Sequence, residues 1–164
     1  VGPEDDVLRR YAMLAEETQA DILIRATGDN PLVSPRMARR ALDLMEESGA
    51  DLTALDDLPL GTGVEVIRAS AILEADQTAR DRSEREHVTL HLYQNRDRYR
   101  IDRRQAPAEA RMKEARVTLD TEEDYALLAE IYRRAYVGTP IEVETVIEQL
   151  IKLQEQQPRM ACGR

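Results

Sequence analysis

Twice along this chain a short apolar run closes on a polar turn that carries an aspartate, and a helix follows at once. Asp21-Ile22-Leu23-Ile24-Arg25-Ala26 is β-branched enough to read as a buried strand. It empties into Thr27-Gly28-Asp29-Asn30-Pro31, a dense turn signal. Ser34-Pro35 then opens a helix with proline at its first position. Arg116-Val117-Thr118-Leu119-Asp120 repeats the design as a strand ending on an acid, and Thr121 with Asp124 begins the next helix. Junctions of this kind belong to α/β architecture, where strands and helices alternate.

The remaining pattern agrees. Asp5 or Asp6 can cap a helix whose apolar positions are Val7, Leu8, Tyr11, Leu14 and Ala15, a spacing of three and four. Met37, Ala41, Leu44 and Met45 mark the inner face of the helix after Pro35, and Gly49 stops it. Residues 51–54 form a weak strand, 56–59 a loop, and 63–67 an alternating strand. Residues 69–79 read as helix. So does 83–94, with Ser83 as cap and Glu86 three residues on. Residues 99–101 suggest a strand and 102–114 an irregular polar stretch. The last helices carry Tyr125, Leu128, Ala129 and Tyr132, then Val143, Val146, Ile147, Leu150 and Ile151. We expect one domain over residues 1–155 and a frayed tail over 156–164. The chain has 164 residues, enough for a real core. With no Trp and no Phe, that core must be mostly Leu, Ile, Val, Ala and Met.

Net charge narrows the partners. At −9 the chain would repel a phosphate backbone, so broad nucleic-acid binding is not expected. A small phosphorylated ligand is compatible, because local charge and bound metal decide that case. The single Cys162 cannot form an internal disulfide, which suits a reducing cytoplasm. No apolar run approaches the ~20 residues that span a bilayer. Val1-Gly2-Pro3 leads into a helix without an initiator Met, as a chain beginning in mid-protein would.

Asp29 and Asp120 are the first candidates for chemistry. Each lies just past the C-terminal end of an expected strand, the edge where open α/β sheets bind ligands. Two carboxylates there repel unless a cation separates them. Mg²⁺ takes carboxylate oxygens together with substrate phosphates. The competing reading makes each Asp a helix cap or turn residue. His87 and His91, four apart, have the spacing of a two-histidine zinc site, but Val88 stands where the metalloprotease pattern needs Glu. Glu84-Arg85-Glu86-His87 reads as a solvated helix start or as a substrate contact. Gly61-Thr62-Gly63 precedes a strand, so it is a turn or a pocket-edge loop, not a dinucleotide loop. Glu65 lies inside an apolar strand, and either points outward or is buried for a reason.

Three segments in order go further: RATGDNPLVSP (25–35), LPLGTGVEVIRASAI (58–72) with SEREHVTLHLYQN (83–95), and RVTLDTEEDYALLAEIY (116–132). From about Glu4 to Tyr132 the chain resembles the SpsF-type cytidylyltransferases of surface-polysaccharide synthesis, relatives of the CMP-KDO and CMP-sialic acid synthetases. The resemblance implies a Rossmann-like nucleotidyltransferase fold in three layers. It implies attack of a sugar hydroxyl on the α-phosphate of CTP, giving a CMP-sugar and pyrophosphate. Asp29 and Asp120 would hold Mg²⁺, with Arg25 and Asn30 beside the nucleotide and metal, and Glu65, Arg85 and His87 near the sugar. Members begin with a strand and a Gly/Arg-rich loop that cradles CTP. This chain joins the pattern after that loop, so we expect the C-terminal portion of such a domain, N-terminally incomplete. The alternative is a non-catalytic sugar- or partner-binding remnant. A homodimer is expected on family grounds.

Overall fold

The computed structural model describes residues 2–156. Within them the chain divides into two compact units. Unit 1 comprises residues up to Ala26, Met37–Leu55 and Val64–Arg104. Unit 2 comprises Thr27–Arg36, Asp56–Gly63 and the chain from Gln105 onward. The frayed tail expected from 156 onward lies almost wholly outside the described residues, since the last helix runs to Gln156.

Unit 1 is built on a mixed sheet of β1 (Ile22–Arg25), β2 (Leu52–Asp56), β3 (Glu65–Arg68) and β4 (Ile101–Gln105), in the order β1-β3-β2-β4. β3 is antiparallel to both neighbours, with Arg25 opposite Glu65 and Thr53 opposite Val66. Alternation sends Leu23, Leu52 and Ile67 to one face, where they join Leu8, Ala12 and Ala15 of α1 (Val7–Thr18) and Ile72 and Ala75 of α3 (Ala69–Thr78). On the other face the buried Thr53 hydroxyl donates to the Ala41 carbonyl at 2.6 Å, in α2 (Pro35–Ser48). Helices therefore cover both faces of the sheet. The Asp6 carboxylate caps α1, accepting from the Arg9 N–H at 2.9 Å. Gly49, at φ 66°, ends α2 in the left-handed region that suits glycine.

The helix expected over 83–94 is two short ones, α4 (Arg82–Glu86) and α5 (Leu90–Gln94). The capping box expected from Ser83 and Glu86 is instead formed by the N-cap Asp81 and the acid three residues on, Glu84. Its carboxylate accepts from the N–H groups of Arg80 (3.2 Å) and Asp81 (3.3 Å), and also contacts His91 Nδ1 at 2.8 Å. The break falls where the β-branched Val88 and Thr89 weaken helix formation, and both are buried. The segment expected to be irregular over 102–114 holds β4 and a single 3₁₀ turn, Ala108–Ala110.

Unit 2 packs Leu32, Val117 and Ile141 with Leu128 and Ile131 of α6 (Glu122–Ala135) and Val146 and Leu150 of α7 (Val143–Gln156). The buried members of this cluster are all aliphatic. The expected strand over 116–119 is an extended segment with one parallel bridge, Leu60 to Arg116. The ladder stops because its neighbour is a turn. Pro59 and Gly61 flank Leu60, and Gly61 adopts φ 100°. The glycine turn is a packed one, with Thr62 fully buried and its hydroxyl donating to the Pro59 carbonyl at 2.9 Å.

Candidate functional site

In unit 2 the two acid-bearing turns are neighbours. The Leu119 N–H donates to the Asp29 carbonyl at 2.7 Å, so residues 29 and 120 sit on adjoining stretches of backbone. The Asp29 turn is closed by Asn30 N–H to Thr27 O at 3.1 Å. The Asn30 side-chain oxygen is buried, with no hydrogen-bond partner among the described residues. A buried acceptor without a donor is uncommon and calls for an explanation. Two carboxylates and a neutral amide oxygen are the hard donors Mg²⁺ prefers, so these residues fit the expected ion.

Asp120 is held from one side. Its Oδ2 accepts from the Thr118 hydroxyl at 2.7 Å and pairs closely with Arg116. The Thr118 hydrogen bond and the Arg116 guanidinium keep its carboxyl below the usual aspartate range. Arg116 also reaches Asp124 at 3.2 Å and the Thr118 hydroxyl at 2.6 Å. Thr121 caps α6 as its sequence signalled, accepting from the Asp124 N–H at 3.2 Å while Asp124 accepts from the Thr121 N–H at 2.9 Å. Arg116 and Thr118 were missed at the sequence level because their role lies in contacts with Asp120, not in a motif of their own.

In unit 1, Glu65 answers the question its strand position raised. It is half-buried, and both of its oxygens accept hydrogen bonds. Oε2 accepts from Arg25 at 3.1 Å and from the Thr89 hydroxyl at 3.0 Å, and Oε1 accepts from the Tyr93 hydroxyl at 2.8 Å. Arg103 donates to the same Tyr93 oxygen at 2.6 Å. Burial, with the Glu65 charge beside it, pushes the Tyr93 phenol up to about 12, so it remains a donor at neutral pH. The family resemblance set Arg25 with Asn30 beside the nucleotide and Glu65 near the sugar, whereas here Arg25 pairs with Glu65. Thr89 and Tyr93 read in the sequence as ordinary helix residues.

Arg85 and His87, expected near the sugar, are not in this cluster. Arg85 ties three helices together: Nε donates to Asp6 at 2.7 Å, Nη1 to the Asp76 carbonyl at 2.8 Å and Nη2 to the Asp76 carboxylate at 2.6 Å. With every nitrogen committed, it acts as a strut between α1, α3 and α4. His87 is an exposed residue at the C-terminal end of α4. His91 is buried in α5, between Glu84 and the Thr78 hydroxyl at 3.1 Å. The two histidines share no helix face, and among the described residues no three His, Cys, Asp or Glu side chains gather as metal ligands. No helix among the described residues is long and apolar enough to cross a membrane.

The family model of the cytidylyltransferases matches residues 2–158. The spore coat polysaccharide biosynthesis protein SpsF of Bacillus subtilis (strain 168) is 33% identical over 135 residues, 82% of this chain and 56% of that protein. An uncharacterized protein of Methanocaldococcus jannaschii is 29% identical over 132 residues, 80% of this chain and 54% of its own length. The chain thus spans about half the length of the curated relatives it matches. The solved structure of a cytidylyltransferase from Leptospira borgpetersenii serovar Hardjo-bovis superposes with a TM-score of 0.83 at 24% identity, over 94% of this chain and 66% of that one. That superposition establishes the same mixed α/β fold. By motif order, family match and fold together, the chain belongs to the cytidylyltransferase family.

Proposed function

We propose that this chain carries the metal-binding part of an enzyme that moves a cytidylyl group from CTP to a sugar hydroxyl. The observation that carries the reading is the 2.7 Å hydrogen bond from Leu119 to Asp29, which sets two acid-bearing turns side by side. Asp29 and Asp120 supply carboxylate oxygens, and the unpartnered Asn30 oxygen lies in the same turn as Asp29. Mg²⁺ held there would neutralise the triphosphate and lower the pKa of the attacking hydroxyl.

The reaction needs little covalent help from the protein. The sugar oxygen forms a bond to the α-phosphorus, the bond to the bridging oxygen breaks, and pyrophosphate leaves with both electrons. The hydroxyl proton passes to solvent. Positioning and charge neutralisation dominate such transfers, so no Ser, Cys or His nucleophile is required. Thr118 and Arg116 orient Asp120.

The test is pyrophosphate release from CTP and Mg²⁺ over a panel of acidic sugars. Asp29→Asn and Asp120→Asn should each lower kcat by ~100-fold or more, the scale of losing one transition-state charge contact. Wild-type turnover in both variants would refute the assignment.

A further inference from the structure

We propose that Arg25 presents a ready-made two-point docking edge for an oxyanion, and that Glu65, Thr89 and Tyr93 are positioning residues that aim it. The inference deepens the functional reading and rests on it only for naming the anion. Among the described residues, the one engaged nitrogen of Arg25 is Nη1, on Glu65 Oε2. Its Nε is buried and has no acceptor among the described residues. Nε–H and the adjacent Nη2–H lie on one edge of a planar guanidinium and point the same way, the geometry that grips a carboxylate or phosphate by two parallel hydrogen bonds. A buried donor on that edge without a partner is what a site awaiting its ligand looks like.

Three of the roughly four acceptor positions on the Glu65 carboxylate are already taken. Oε2 takes Arg25 and Thr89, the residue before α5, and Oε1 takes Tyr93 of α5. The place of Glu65 is behind Arg25, fixing the plane of the guanidinium. Tyr93 belongs to the same device: Glu65 sits at its hydroxyl, and the guanidinium carbons of Arg96 and Arg103 each lie 5.7 Å from its ring centroid. The common chemistry is a planar or tetrahedral oxyanion, supplied either by a nucleotide phosphate or by the carboxylate of a sugar acid.

The experiment follows the Arg25 Nε–H resonance in a ¹H–¹⁵N spectrum, without metal or CTP. The arms are inorganic pyrophosphate, glucuronate and, as neutral control, glucose. At least one anion should shift the resonance and slow its exchange with water, and glucose should not. The anion that does so names the source. Arg25→Lys keeps the charge but loses the paired edge, and should weaken that anion by about tenfold or more. Thr89→Val keeps the shape and loses the hydroxyl, and should weaken binding several-fold. Thr89→Ser, which keeps the hydroxyl, should restore it. Tyr93→Phe should behave as Thr89→Val does. Circular dichroism on each variant monitors folding. Two results overturn the docking edge: neither anion moves the resonance, or Arg25→Lys binds as the wild type does. Equal binding by Thr89→Val and Thr89→Ser overturns the positioning role. Because no turnover is measured, either failure leaves the Asp29 and Asp120 assignment standing or falling on its own assay.

Discussion

Gly61→Ala tests how the turn before β3 positions Asp120. Gly61 has φ 100°, a conformation that side-chain-bearing residues rarely adopt. Holding a non-glycine residue in a sparsely populated region costs about 1–3 kcal/mol. A Cβ at this position would also stand 3.0 Å from both the carbonyl carbon and the carbonyl oxygen of Val117, which are main-chain atoms and cannot rotate away. Overpacking of this kind costs a further 1–3 kcal/mol or so. A total of about 2–6 kcal/mol is therefore expected, and the strain falls on a single bridge. That bridge is made by Leu60 N–H to the Ala115 carbonyl at 2.9 Å and Val117 N–H to the Leu60 carbonyl at 2.8 Å. Hydrogen exchange at the Val117 amide reads it directly. A 2 kcal/mol loss should accelerate exchange by about 30-fold, with amides of unit 1 much less affected. Exchange at Val117 within about threefold of wild type would refute the reasoning, because it would mean the Cβ is accommodated without disturbing the segment that ends on Asp120.

Two further outcomes are expected. Thr121→Ala removes the cap of α6 and should destabilise by about 1 kcal/mol, read as a lower urea midpoint at unchanged slope. Glu84 gives a pH signature: burial opposes its charge, but the hydrogen bonds from His91 and from the backbone of Asp81 and Arg80 outweigh this and hold its carboxyl below the usual glutamate range. A depressed carboxylate adds stability that is present above its unfolded pKa, near 4.3, and fades as pH falls through the folded value. Wild-type stability should therefore drop more steeply below about pH 4.3 than that of Glu84→Gln, as measured by thermal melts across pH 3–6.

Much of the fold was legible because local signals and tertiary demand agree. Asp6, Pro35, Gly49 and Thr121 each mark a helix boundary where the structure has one. The TGDNP turn and the acid before α6 were legible as candidate chemistry for the same reason, since both are written in short contiguous motifs. What failed was anything set by a distant neighbour. The extended run to Asp120 looks like a strand, yet Leu60 offers it only one rung. Residues 83–94 look like one helix, yet Glu84 turns back to the chain before it and toward His91, and Val88 and Thr89 enter the interior. The segment 84–87 read as a solvated helix start or a substrate contact, and nothing in it discloses that Arg85 reaches Asp6, 79 residues away. The company kept by Glu65 was hidden likewise, because Thr89 and Tyr93 lie 24 and 28 residues further on.

The hydrogen bond from Leu119 to Asp29 joins peptide group to peptide group and involves no side-chain atom. Replacing Asp29 therefore swaps the reagent while leaving the bench it stands on. An asparagine at position 29 would keep the same backbone hydrogen bond, which makes that substitution a clean probe of what a negative charge contributes there.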